Sequence, residues 1–123
     1  MAEELIMPVI WGGTQEQKEA FPNVLAKILT GTDLGAVSLT VIELDIAPGF
    51  RVPLHIHPDH EESMVVLEGH PEATLGEEVV KLGPGDAVLA PEGVLHRMVN
   101  TTANPVRILA IFPTTEPKRE VLE

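Results

Sequence analysis

Cysteine and tyrosine are both absent from this chain of 123 residues. Without cysteine there is no disulfide, no thiolate metal ligand and no thiol nucleophile, so any bound metal must sit among imidazoles and carboxylates. Aromatic residues amount to only 3%, so a core has to be built from Val, Leu, Ile and Ala, a palette that suits strands. Bases are also scarce: 8 Lys and Arg against 19 Asp and Glu give a formal charge of −11. Phosphate binding needs a basic patch and none is visible, which argues against a nucleic-acid partner; solubility alone explains such a charge. No apolar stretch is long enough for a membrane span. The leading residues MAEELIMPVIWGG lack the basic start and apolar run of a signal peptide. The expectation is a soluble, cytoplasmic protein with no membrane partner.

What the chain does have is punctuation. Eleven prolines and ten glycines cut it into short apolar runs, the pattern of an all-β sandwich or barrel. The strand candidates are Val24–Leu29, Ala36–Ile46, Val52–Ile56, Ser63–Leu67, Glu72–Leu75, Glu78–Leu82, Ala87–Ala90, His96–Asn100 and Val106–Phe112. Turns such as Pro48-Gly49, Gly83-Pro84-Gly85-Asp86 and Pro91-Glu92-Gly93 separate them. Only Gln15–Glu19, as a single turn, and the charged tail Glu116–Glu123, which is expected to fray, leave room for helix. Residues 1–123 read as one domain, with an arm over 1–22 and a tail over 114–123.

Five histidines fall between positions 55 and 96: His55, His57, His60, His70 and His96. His55 and His57, two apart in a strand, point to one face. Two such imidazoles can grip one ion, but they can equally be structural or exposed. Glu62 opens a run in which Glu62, Met64 and Val66 share a face, so its carboxylate begins an inward stripe near the histidine pair. His96 starts a later strand after a Pro-Glu-Gly turn.

The spacing around these residues decides more than any one of them. Gly49-x5-His55-x-His57-x4-Glu62-x6-Gly69 resembles the first conserved motif of the cupin superfamily, and Gly85-x5-Pro91-x-Gly93-x2-His96-x3-Asn100 resembles its second. The resemblance covers 49–69 and 85–100 directly. It implies a double-stranded β-helix, or jelly-roll β-barrel, holding one divalent ion with His55, His57, Glu62 and His96, the first three from one hairpin. Glu61 also fits the permitted spacing. Glu62 is preferred because it keeps the gap to Gly69 and the phase of Met64 and Val66.

Three imidazoles and one carboxylate suit Mn, Fe, Ni, Co, Cu or Zn rather than Mg or Ca. In an octahedral field two neighbouring positions stay open for a small-molecule substrate or O₂. The site so implied fits a metal-dependent enzyme on a small organic molecule, with a lean towards dioxygenase chemistry on an enolisable or phenolic substrate. A sugar or keto-acid isomerase or lyase is the alternative, and a non-catalytic ligand-binding or structural-metal cupin is the second. Glu62 is the candidate base. By parity Met64, Val66 and Met98 line the cavity, with Arg51 at its mouth as an anion clamp or else a surface arginine, since Pro53 can break the register. Arg97 is expected outward, His60 exposed rather than a proton shuttle, His70 on the surface and Asn100 buried in a structural role. Long apolar strands at Val24–Leu29 and Ala36–Ile46, exposed at an edge, would favour a homodimer.

Overall fold

Eleven strands follow one another in the computed structural model, which describes residues 8–123; the first seven residues of the arm lie outside them. They are β1 (Gln17–Phe21), β2 (Val24–Thr30), β3 (Thr40–Ile46), β4 (Arg51–Ile56), β5 (Glu62–Glu68), β6 (Glu72–Leu75), β7 (Glu78–Lys81), β8 (Ala87–Ala90), β9 (His96–Val99), β10 (Val106–Phe112) and β11 (Glu120–Val121). Two single 3-10 turns, Gly12–Thr14 and Thr32–Leu34, are the described helical elements. Among the described residues no helix is long and apolar enough to cross a membrane.

The strands form two antiparallel sheets, ordered β1-β2-β3-β10-β5-β8 and β11-β4-β9-β6-β7. This is an all-β jelly roll. The alternation of β10 shows why the sheets face each other: Val106, Ile108, Ala110 and Phe112 point into the core while Arg107 points out. Val24, Ile46, Val52, Met64, Val66, Ala73, Met98 and Ile108 close the space between the sheets. Val24, Ile46, Val66, Met98 and Ile108 are each at most 1% exposed, so aliphatic side chains fill most of this core.

Asn100 shows how the motif positions outside the ligand set hold this frame. Fully buried, it donates from its amide nitrogen to the carbonyls of Ile46 and Asn104, at 2.9 and 2.7 Å, and its Oδ1 accepts from the Thr102 N–H and hydroxyl. Its own backbone pairs with Gly49 and Phe50. One side chain thus ties the end of β9 to β3 and to the turn before β10.

Four expectations need correction. Gln15–Glu19 is not a helical turn: Gln17–Phe21 is an edge strand whose polar side chains face water while its backbone pairs with β2, so ladder pairing overrides its polar composition. The third strand begins at Thr40, not Ala36, because its partner β10 ends at Phe112 opposite Thr40 and Pro113 follows. The tail does not fray. Glu120–Val121 adds to β4 opposite Ile56 and His55, the Leu122 N–H donates to the Leu54 carbonyl, and Glu123 meets Arg51 and Arg97 at 2.9 Å. Finally, β2 and β3 are paired on both sides, so neither offers the free edge expected for self-association; β1 and β8 end the larger sheet.

Candidate metal centre

A bulge in β4 sets the geometry of the site. Val52 pairs with Met98 and His55 with His96, which leaves one extra residue on β4 between these partners. Pro53 lies in that irregularity, where its missing N–H breaks no regular ladder bond. The extra residue shifts the parity of the strand, so Val52 and His55 both face inward although they are three apart. Arg51 is thereby turned outward. It is half exposed and bound to Glu123, far in role from the cavity mouth where it was expected.

His55 and His96, cross-strand neighbours, place their rings 4.1 Å apart. His57 follows β4 in the connection to β5, and its carbonyl accepts the Gly93 N–H from the Pro-Glu-Gly turn before β9. Glu62 opens β5 opposite Ala90. Because β4 and β5 belong to different sheets, the first three residues are not carried by a paired hairpin; the cluster bridges the two layers. All four side chains are buried, and one ligand atom from each lies within 4.8 Å of the others.

The hydrogen bonds of the three rings decide what can fill this space. Each Nδ1 faces a backbone carbonyl: His55 to Pro53 at 2.7 Å, His96 to Val94 at 3.0 Å, and His57 to Lys118. Carbonyl oxygens only accept, so each Nδ1 carries the proton and each Nε2 presents a lone pair inward. Yet Glu62 Oε1 lies 2.9 Å from the Nε2 atoms of both His57 and His96. Lone pairs brought this close require a cation among them. A proton is one candidate. Burial pulls the pKa of His57 down, but the Glu62 carboxylate and the Lys118 carbonyl outweigh it and the net shift is upward. Burial likewise raises Glu62, yet the bonds from His57 and His96 prevail and hold it at about 2. His55, with burial and the charge of His96 against it, is lowered to about 4. A metal ion is the other candidate, and it satisfies every acceptor at once. Three neutral imidazoles and an ionised carboxylate fit a single divalent transition ion.

The sequence model of the Cupin domain matches residues 42–112, more than half of the chain and all four of these residues. The chain belongs to the cupin family. Among curated relatives it is 30% identical over 95 residues to germin-like protein 1 of Brassica napus, covering 73% of this chain and 46% of that one. It is 28% identical over 94 residues to the tetracenomycin polyketide synthase protein TcmJ of Streptomyces glaucescens, covering 76% and 63%. The chain therefore spans about half the length of the germin-like relatives. Among solved structures, the polyketide cyclase RemF from Streptomyces resistomycificus superposes with a TM-score of 0.83 at 22% identity, over 96% of this chain and 87% of that one. At this identity the likeness shows the fold.

The remaining candidates in this cupin fall into place around the cluster. Met64, Val66 and Met98 are buried as expected, but they sit in the packed core. The small cavity beside the ligands is lined instead by Ala20, Phe21, Ala26, Ile42, Leu44, Val52, Ala110, Phe112 and Arg119. His60 is not exposed: it is buried, stacks on His57 with ring centroids 4.7 Å apart, gives its Nδ1 proton to the Glu61 carbonyl and accepts the Lys118 N–H at Nε2. With both nitrogens engaged it is a support for His57 rather than a proton shuttle. Glu61 is exposed, and so is His70. Arg107 points out to Asp45 at 2.9 Å. Arg97 reaches Glu123 while its Nε stays buried without a partner.

Two contributors are invisible to sequence reasoning, Lys118 through its backbone and Arg119 through its side chain. Arg119 stands 4.4 Å over the ring of Phe21 and lines the cavity. Both lie in the tail, where neither periodicity nor motif marks them.

Proposed function

We propose that this cupin is a metal-dependent enzyme that activates an enolisable or phenolic oxygen compound, with a non-oxidative isomerisation, cyclisation or lyase step as its reaction. The lining of the cavity carries this reading. Apart from the ligand set, every residue that faces it is apolar except Arg119. A divalent ion bound here supplies Lewis acidity to a coordinated carbonyl or phenol. Arg119 adds positive charge where an enolate oxygen develops, in a cavity walled largely by apolar side chains. That cation favours a non-oxidative step over O₂ chemistry, because the cavity suits an anion as much as a gas.

Among the described residues Glu62 is the only anion lining the cavity, and it is the group to which we assign proton transfer. A carboxylate beside a bound cation is a weak base, suited to carbon acids and phenols already acidified by coordination. The polyketide chemistry named for TcmJ and RemF supports a substrate rich in such groups. Dioxygenation of the same compounds is a second reading, favoured by the apolar wall, where O₂ is better accommodated than in water.

The test is to incubate metal-loaded protein with a panel of β-diketones, catechols and flavonols, following substrate by mass spectrometry and O₂ with an electrode. Consumption of substrate without O₂ uptake is expected. Uptake in step with substrate would establish the second reading. Full metal occupancy with no turnover would leave a binding role and overturn both.

A further inference from the structure

The cavity beside the ligands holds about 80 Å³, space for about two to three water molecules at roughly 30 Å³ each. That admits one carboxylate or enolate and not a whole substrate. A second, larger hollow of about 360 Å³ lies on the inner side of β1, β2 and β3 and shares Ala20, Ala26 and Ile42 with the first. Its size falls in the range of small-molecule sites, roughly 300–1,000 Å³.

Two of the three shared positions carry only a methyl side chain. Ala20 occupies the irregular position of β1, between the paired Glu19 and Phe21. Ala26 faces it from β2, opposite Lys18. Larger residues at either point would wall the two spaces apart. Beyond them Ile28 and Leu34 give the outer hollow an apolar wall, and Gln15, Glu16, Lys18 and Asp33 complete its lining. At the inner end a positive charge lines the cavity: Arg119, its guanidinium 4.4 Å over the ring of Phe21.

We propose that the two hollows form one channel for an amphipathic organic anion: a ring system of one or two fused rings lies over Ala20 and Ala26, and its carboxylate or enolate enters the inner cavity towards Arg119. This deepens the reading of the site as one for enolisable or phenolic compounds and rests on it for the chemistry, while its own test is binding.

The probes are 2-naphthoate, its neutral counterpart 2-naphthylmethanol, and acetate, titrated calorimetrically into zinc-loaded protein. Naphthoate is expected to bind at least about tenfold more tightly than either other probe. Ala26→Leu should abolish that advantage over acetate. Arg119→Gln should reduce naphthoate to the level of naphthylmethanol. Circular dichroism and metal content establish that each variant is folded, and Ala20→Leu offers an independent obstruction should Ala26→Leu not fold. Naphthoate bound no better than acetate, or unaffected by a folded obstruction variant, overturns the channel. A protein that binds naphthoate in this pattern but turns over none of the panel would instead overturn the proposed function and leave the channel standing.

Discussion

His57 Nε2 and Glu62 Oε1 stand 2.9 Å apart, while the opposite nitrogen of the same ring is fastened to the Lys118 carbonyl from the far end of the chain. The ring is therefore aimed before any ion arrives, and its lone pair has no protein donor to meet. His57→Ala removes one of the four candidate ligands. We expect substoichiometric metal on purification and an affinity lowered by more than about 100-fold, beyond the 10–100-fold typical of losing only a supporting partner. Elemental analysis and competition with a chelator measure both. One equivalent of metal retained by a variant lacking both His57 and His96 would remove the assignment.

The metal-free site predicts how stability depends on pH. His55 has a folded pKa of about 4 against an ordinary 6.5, so the unfolded chain binds the extra proton more readily. Its contribution is complete above about pH 6.5 and is lost as the pH falls towards 4, on the order of 3 kcal/mol. Glu62, at about 2 against 4.5, loses its own contribution between about pH 4.5 and 2. His57 acts in the opposite sense: raised above 6.5, it contributes most below that value and fades as the pH rises through its folded pKa. The melting temperature of chelator-treated protein should therefore fall steadily from pH 6.5 to 3. Zinc should raise it at pH 7.5 and fail to do so at pH 4, where His57 holds a proton. A flat melting temperature between pH 6 and 4 would contradict the burial of a neutral His55.

Asn100 joins three segments through four hydrogen bonds. Asn100→Ala leaves the Ile46 and Asn104 carbonyls and the Thr102 N–H without that partner, a cost of about 3 kcal/mol and roughly 10 °C in melting temperature. Metal content of the folded protein should be unchanged, since the amide touches none of the ligands. Loss of metal without loss of stability would place Asn100 in the site instead of the frame.

The two motifs made the ligand set legible because spacing along an extended chain translates directly into facing: His55 and His57 share a face, and Glu62 leads the stripe of Met64 and Val66. Parity failed where the backbone departs from a regular strand. The bulge at Pro53 turned Arg51 outward and Val52 inward, and no count of residues reveals which side of a bulge a neighbour takes. The tail failed for another reason. Its residues are polar and mostly exposed, and they are ordered by backbone bonds to β4 and His57, which depend on the partner strand and not on the composition of the tail itself.

Glycines separate two kinds of backbone demand. Gly69 has φ +87°, and a Cβ there would lie 2.5 Å from the Pro105 carbonyl oxygen and 2.8 Å from Val106 Cγ2. Gly85 has φ +93° with nothing within 4 Å. Gly85→Ala should cost only the conformational strain, about 1 kcal/mol. Gly69→Ala adds a collision with backbone that must move, for a total of about 3 kcal/mol or more. Denaturant unfolding of the two variants measures the difference, and equal destabilisation would show that the turn at Gly69 has room to relax.

The Lys118 carbonyl gives the tail a direct line to the candidate metal site through His57. A chain ending at Glu116 loses the acceptor that fixes the tautomer of His57 and the N–H that holds His60 against it. Metal affinity should fall about 10–100-fold. Lys118→Ala keeps the backbone and should leave affinity unchanged, which separates the carbonyl from the side chain. Truncation also removes Arg119, but losing a nearby cation favours a bound cation, so that change works against the expected weakening and cannot produce it. Undiminished affinity in the shortened chain would mean that the imidazole of His57 is aimed by packing against His60 and Phe112 alone.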